Sequence, residues 1–320
     1  MIASLSLDLD NKWSYMKTHG DAGWESFPSY LDVCVPRVLD FLAQRDLKIT
    51  FFIVGQDAAH EKNQDALAQI SAAGHEIGNH SFRHEPWLHL YSKEELVEEF
   101  EKTESALESV CGVVPKGFRG PGYSLSPTVL EVLAERGYDY DCSTLPTYIA
   151  PLARAYYFLK SPEMSDKERA KRKKLFGKFS DGFQSLRPYN WKVGDRLITE
   201  IPVTTLPLFK TPIHASYLIY LSTFSKFAAR TYWKTALAMC RASGTEPSLL
   251  LHPLDFLSRD DAPELGFFPA MNLPAGEKLD VVSEILARFT DNFSVTTMSE
   301  HAKAAAEREL SVRDSGLAGN

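Results

Sequence analysis

Ile2-Ala3-Ser4-Leu5-Ser6-Leu7-Asp8-Leu9-Asp10 is the stretch on which the fold turns. It is an apolar run that ends in two carboxylates. Successive strand side chains alternate between faces, so Asp8 and Asp10 share one face at the strand's C-terminal end. Working outward, residues 48–54 are β-branched and aromatic and are closed by Gly55, as in a buried parallel strand. Residues 75–79 form a short strand with His80 at its edge, and further strands are expected at 117–121, 138–142, 197–203, 248–252 and 293–297. Helices fall between them. One spans 31–42, with Pro36 expected to start or kink it. A second covers 61–73. A third is opened by Ser92 with Glu95 as its capping-box partner and carries Leu96, Phe100, Thr103, Leu107 and Val110 at helical spacing. Ser126 and Pro127 begin a fourth, which ends at Gly137. Strand-then-helix alternation predicts an α/β fold with a parallel sheet. Asp8, Asp10, His80, Arg119, Asp141 and His252 all fall at C-terminal strand ends. A closed barrel gathers such ends at one mouth, which favours it over an open sheet.

The chain has 320 residues, enough for a single barrel. The expected organisation is one catalytic barrel over 1–300 with an insertion at 147–196, followed by a C-terminal helix end and tail at 301–320. With 42 acidic and 35 basic residues, a nucleic-acid surface spread over the protein is excluded. The four cysteines form no Cys-x-x-Cys pair, so neither a zinc knot nor a disulfide framework is expected. The N-terminal segment lacks a basic region and turns acidic early, so a cytoplasmic location is expected. Within the insertion, Ser165 and Glu168 make another capping box ahead of the basic run 167–174. That run reads as a solvated helix face, or as a peripheral contact with anionic lipid or phosphate. Residues 213–240 are rich in Tyr, Leu, Phe and Ala, but Lys226 and Arg230 make them a poor membrane span. A cover over the barrel or a subunit contact is expected there, and with it a homo-oligomer.

His80-Ser81-Phe82-Arg83-His84 is a His-x-x-x-His pair at a strand end. Two imidazoles and one carboxylate make a three-ligand face for a divalent cation that leaves positions open for water and substrate. Clustered carboxylates repel unless a cation or an arginine compensates. One of Asp8 and Asp10 is therefore expected to bind metal and the other to remain free as a base. With the lone His252, the pattern reads as a metal hydrolase. Trp13, Trp87, Tyr156 and Tyr157 are candidates to stack on a flat substrate ring, with at least half of them expected to be packing residues.

At these motifs the sequence resembles the polysaccharide deacetylases, carbohydrate esterase family four with its NodB-homology domain. Ser6-Leu7-Asp8-Leu9-Asp10 is similar to the first motif of the branch whose two aspartates are separated by one residue. His80–His84 and its approach Gly74–Asn79 match the second motif, and Arg119-Gly120-Pro121-Gly122-Tyr123 the third. Tyr138–Ser143 is a degenerate fourth, and Leu250-Leu251-His252-Pro253 the fifth. The resemblance covers roughly 3–145 and 197–297. It implies a distorted (β/α)7 barrel, TIM-barrel-like, and a divalent metal, most often zinc, held by Asp10, His80 and His84. It implies Asp8 as base, Arg119 holding that base, His252 as general acid and Asp141 as a further catalytic candidate. Tyr123, through a nearby backbone N–H, Trp87 and Ser81 are the expected substrate contacts. The implied reaction is hydrolysis of an N-acetyl group on an amino sugar or carrier-linked saccharide, releasing acetate. The alternatives are an allantoinase-like or deformylase-like hydrolase of a C–N bond and a non-catalytic carbohydrate-binding relic.

Overall fold

A computed structural model describes residues 1–149 and 179–316. Its strands are β1 (Ile2–Leu9), β2 (Thr50–Ile53), β3 (Glu76–Asn79), β4 (Gly117–Phe118), β5 (Tyr140–Asp141), β6 (Tyr189–Val193), β7 (Arg196–Glu200), β8 (Ser248–Leu251), β9 (Ser294–Thr296) and β10 (Val312–Asp314). Parallel ladders join β7, β5, β4, β3, β2, β1 and β8 in that order. These seven strands are the staves of a distorted (β/α)7 barrel. No strand ladder pairs β7 with β8. The chain leaving β7 bridges that seam, where the Thr204 N–H donates to the Ser248 carbonyl at 3.2 Å and the Ser248 N–H to Thr204 Oγ1 at 2.8 Å.

β1 shows why the ring closes. Ala3, Leu5, Leu7 and Leu9 join the main apolar core with residues of the surrounding helices. Ser4, Ser6 and Asp8 alternate with them and take partners inside the ring: Ser4 Oγ meets His301 Nδ1 at 2.9 Å, and Arg119 reaches both Ser6 and Asp8. A small interior cluster of Phe52, Tyr140, Cys142, Ile201 and Met298 fills the lower ring. The helix Met298–Ala306 plugs that end, its first N–H groups bonded to Thr50 and Glu76.

Three expectations need correction. The helix with Pro36 begins at Leu31 and runs through the proline to Ala43. Proline there costs the bond to the Asp32 carbonyl, and Asp32 is exposed, where water replaces it. The end of the 147–196 insertion is sheet: β6 pairs antiparallel with β7 across the turn Gly194-Asp195, with Gly194 at φ 58°. The 301–320 tail is built into the fold as far as it is described, as the plug helix and as β10, which pairs with β6. The apolar stretch from Ile213 is two helices, Ala215–Phe224 and Lys226–Ser243, whose inner residues Leu218, Ile219, Trp233 and Leu237 join the main core. The basic run 167–174, its cap Ser165 and Glu168, and Tyr156 and Tyr157 lie outside the described residues.

Candidate metal and catalytic site

Asp8 closes the inner face of β1, and Asp10 follows the strand. Asn11 then caps the helix Lys12–His19 through its side chain. The Asn11 Nδ2 and Trp13 Nε1 both donate to Asp57 Oδ1, at 2.7 and 2.8 Å, and Tyr30 Oη donates to the Asp10 carbonyl. Burial pushes Asp57 up to about 7, although the Asn11 and Trp13 bonds pull the other way. These bonds anchor the backbone on both sides of Asp10. Trp13 is buried among them, so it packs and does not present its face to a sugar.

The segment after β3 is bent to bring its two imidazoles to Asp10. Ser81 donates its N–H to Asn79 Oδ1 at 2.7 Å, and Ser81 and His84 take φ of 61° and 50°. Such angles are uncommon outside glycine. They are held by the buried Glu99, which accepts the N–H groups of Phe82 and Arg83, each at 2.9 Å, and the Arg83 guanidinium at 2.6 Å. Gly55 donates its N–H to the Ser81 carbonyl, and a side chain on Gly55 would meet Phe82 and Thr103 at 2.8 Å. Ser81, expected to touch substrate, is fully buried beneath this loop.

The ligand atoms of Asp10, His80 and His84 lie within 4.8 Å of one another. Asp10 Oδ1 is 2.9 Å from His84 Nε2 and 3.3 Å from His80 Nε2, yet it has no hydrogen bond of good geometry. His80 Nδ1 sits 2.6 Å from the Arg119 carbonyl. A carbonyl only accepts, so Nδ1 carries the proton, and in the neutral ring Nε2 is a lone pair. A carboxylate oxygen and an imidazole lone pair thus face one point, an arrangement that needs a positive charge between them. The same demand shows in the titration. Burial would raise Asp10, but His84 and His80 outweigh it and hold the carboxyl well below its ordinary range. Burial would lower His80, but Asp8 and Asp10 raise it overall. One carboxylate and two oriented imidazoles suit a divalent cation.

Arg119 follows β4 and is fully buried. Its Nη1 donates to Asp8 Oδ1 at 2.7 Å and Ser6 Oγ at 2.8 Å, its Nε to the Cys142 carbonyl at 3.2 Å, and its guanidinium lies 4.4 Å from the Phe52 ring centre. Burial opposes its charge, but Asp8 more than offsets that. Asp141 is one step removed. Its carboxylate accepts from Ser143 Oγ at 2.6 Å, and Ser143 Oγ accepts the Gly120 N–H at 2.8 Å. Asp141 therefore braces the Arg119–Gly120 segment and shares its buried surroundings with Glu200.

Across the mouth, His252 follows β8 and is half-buried, its N–H bonded to Asp255 Oδ2 at 2.9 Å and its Nδ1 3.3 Å from Ser216 Oγ. Tyr123 takes φ 60°. Its phenol is pushed up by burial and then by Asp8. Its own N–H donates to the Gly120 carbonyl at 2.9 Å. Trp87 is half-buried at the start of a short 3-10 turn. Sequence reasoning missed His214 and Asp255. His214 is buried, its Nε2 has no partner, and its ring lies 6.3 Å from Tyr123 and 6.5 Å from His252. Burial, then His252 and Arg119, lowers it to about 3, so it is neutral. A solitary histidine after a proline carries no spacing signal. The pattern His252-Pro253-Leu254-Asp255 could have pointed to Asp255.

Residues 21–140 match the family profile described as polysaccharide deacetylase. A peptidoglycan-N-acetylglucosamine deacetylase of Bacillus cereus is 38% identical over 86 residues, covering 27% of this chain and 30% of that protein. A chitin deacetylase of Colletotrichum lindemuthianum is 30% identical over 115 residues, covering 35% of this chain and 46% of its own length. The chain thus spans less than half the length of these relatives. Among solved structures, a candidate polysaccharide deacetylase from Mycobacterium smegmatis superposes with a TM-score of 0.62 at 21% identity, over 99% of this chain and 95% of that one, and shares the fold. Over residues 21–140 the chain is thus similar to the polysaccharide deacetylase family.

Proposed function

We propose that this protein is a metal-dependent N-deacetylase that hydrolyses the acetamido group of an amino sugar or a carrier-linked saccharide and releases acetate. The observation that carries the reading is the convergence of Asp10, His80 and His84 beside a second carboxylate, Asp8, that is held by a buried arginine. The peptidoglycan and chitin deacetylases among its relatives support the same chemistry.

A divalent cation, with zinc the best match to two imidazoles and one carboxylate, supplies a Lewis acid that polarises the acetyl carbonyl and acidifies a water. The chain supplies the proton transfers. Arg119 occupies one oxygen of Asp8, leaving the other to take the water's proton, and keeps Asp8 from competing with Asp10 as a ligand. His252 delivers a proton to the departing nitrogen, a step that a poor amine leaving group requires. The Asp255 contact to the His252 backbone and the Ser216 contact to its ring fix that imidazole. Asp141 takes no step, because it acts through Ser143 on the segment that carries Arg119. Tyr123 and Trp87 line the approach.

The test is a product screen on the zinc-loaded protein. Acetate should appear from N-acetylglucosamine oligomers or from nucleotide- or lipid-linked N-acetylated sugars. Turnover of allantoin or a formamido-sugar, with no acetate from any acetylated sugar, would overturn the reading.

A further inference from the structure

We propose that the face made by the helices Ala215–Phe224 and Lys226–Ser243 docks on an anionic lipid bilayer. The helix Ala215–Phe224 has no charged residue. Tyr217, Tyr220 and Phe224 are exposed and lie within about 60° of one another around its axis. Phe224 is 71% exposed, and Phe227, three residues on, is 79% exposed. Along the next helix, Lys226, Phe227, Arg230 and Lys234 are exposed on one stripe that flanks the buried Ala229, Trp233, Ala236 and Leu237. Leu208 and Phe209 stand exposed on the turn that leads into the first helix. Apolar and aromatic side chains rimmed by cations are the composition of a helix lying in a membrane interface.

Charge selects the partner. From Ile201 to Thr245 there is no Asp or Glu, although 42 acids in 320 residues would put about six in that span. The same span holds Lys210, Lys226, Arg230, Lys234 and Arg241 in a chain of net charge −7. Lys226 and Lys234 have no ion pair among the described residues. Arg230 is met by Glu284 of the neighbouring helix at 2.8 Å, so the uncompensated positive charge of this face is that of Lys226 and Lys234. An anionic headgroup layer answers that charge. The face also adjoins the site: Tyr217 lies 5.6 Å from the His214 ring, and Ser216 touches His252. Docked this way, the mouth opens beside the bilayer.

The test is co-sedimentation of the full chain with vesicles of phosphatidylcholine alone and of phosphatidylcholine mixed with phosphatidylglycerol. It reads binding without turnover, so it stands apart from the proposed deacetylation. The wild type should pellet with the mixed vesicles and much less with phosphatidylcholine. F224S/F227S should weaken partition roughly a hundredfold, from the apolar area of two phenylalanines. K226E/K234E should weaken it by at least about twentyfold on the mixed vesicles and little on the neutral ones. Circular dichroism matching the wild type shows that each variant is folded, and single-side substitutions replace any pair that is not. Wild type that stays in solution, or variants that pellet equally, would overturn the proposal. So would a wild-type dimer by light scattering that F224S/F227S dissociates, because a second copy would then cover the face.

Discussion

Replacing Asp8 and Asp10 separately by asparagine tests the division of labour between them through folding stability. Zinc at a hundred times its dissociation constant stabilises a protein that binds it only when folded by about 2.7 kcal/mol. Asp10→Asn removes one of three ligands. If affinity falls a hundredfold, the same zinc concentration stabilises by only about 0.4 kcal/mol. Without zinc this variant should also lose some stability, because the fold holds the Asp10 carboxyl well below its ordinary range and so favours the charge that asparagine lacks. Asp8→Asn should keep the zinc increment and lose more of the metal-free stability. It strips the fully buried Arg119 of its counter-charge at 2.7 Å, and breaking a buried pair costs about 3–5 kcal/mol. Its zinc increment should stay near 2.7 kcal/mol. The assay is urea unfolding followed by tryptophan fluorescence, with and without buffered zinc. Any zinc binding to the unfolded chain is common to both variants and cancels. An undiminished zinc increment in Asp10→Asn, or an equal loss in both variants, would refute the assignment.

Asp8→Asn should also cut deacetylation by about two to four orders of magnitude, measured on the best sugar from the product screen. His252→Ala should lose a similar factor on an amide yet little on an aryl acetate, whose leaving group departs without a proton; equal losses on both substrates would remove it as the acid. His214→Phe keeps the ring volume and deletes the unpartnered Nε2, and should lower kcat/KM about tenfold, from one lost hydrogen bond to substrate, with the zinc increment unchanged; unchanged kinetics would make it a packing residue. Asp261 is gripped at both oxygens by Arg37, which lowers its pKa from 3.8 to about 2. A carboxyl depressed in the fold stabilises above its unfolded pKa and loses that contribution as the pH falls from about 4 to 2, here about 1 kcal/mol after solvent screening of a surface pair. Arg37→Met should flatten this part of an acid-unfolding curve, and an unaltered curve would count against it.

The barrel was legible because its staves are apolar runs that end in polar residues. β1, β2, β3 and β8 fall where alternation and β-branching put them, to within a residue or two. β6 and β10 were missed for a physical reason: each pairs at the edge of the ring, where neighbours rather than local pattern decide the outcome. Asp8, Asp10, His80 and His84 were readable because carboxylate and imidazole spacing is dictated by metal chemistry. Glu99 was not, since its role is to hold the N–H groups of Phe82 and Arg83 across a long sequence separation. His214 was hidden in the same way. Nothing in its neighbours announces that the turn after β7 swings it to within 6.5 Å of His252.

The seam between β7 and β8 divides the working parts. Asp10, His80 and His84 follow or flank β1 and β3, in a continuous ladder, and Arg119 follows β4 in the same ladder. His214 precedes the helix Ala215–Phe224, which is tied to His252 after β8 through Ser216. The ring is thus a split collar whose ends are pinned at Thr204 and Ser248. Spreading the collar there costs two hydrogen bonds, against a full run of ladder bonds anywhere else along β1 to β3.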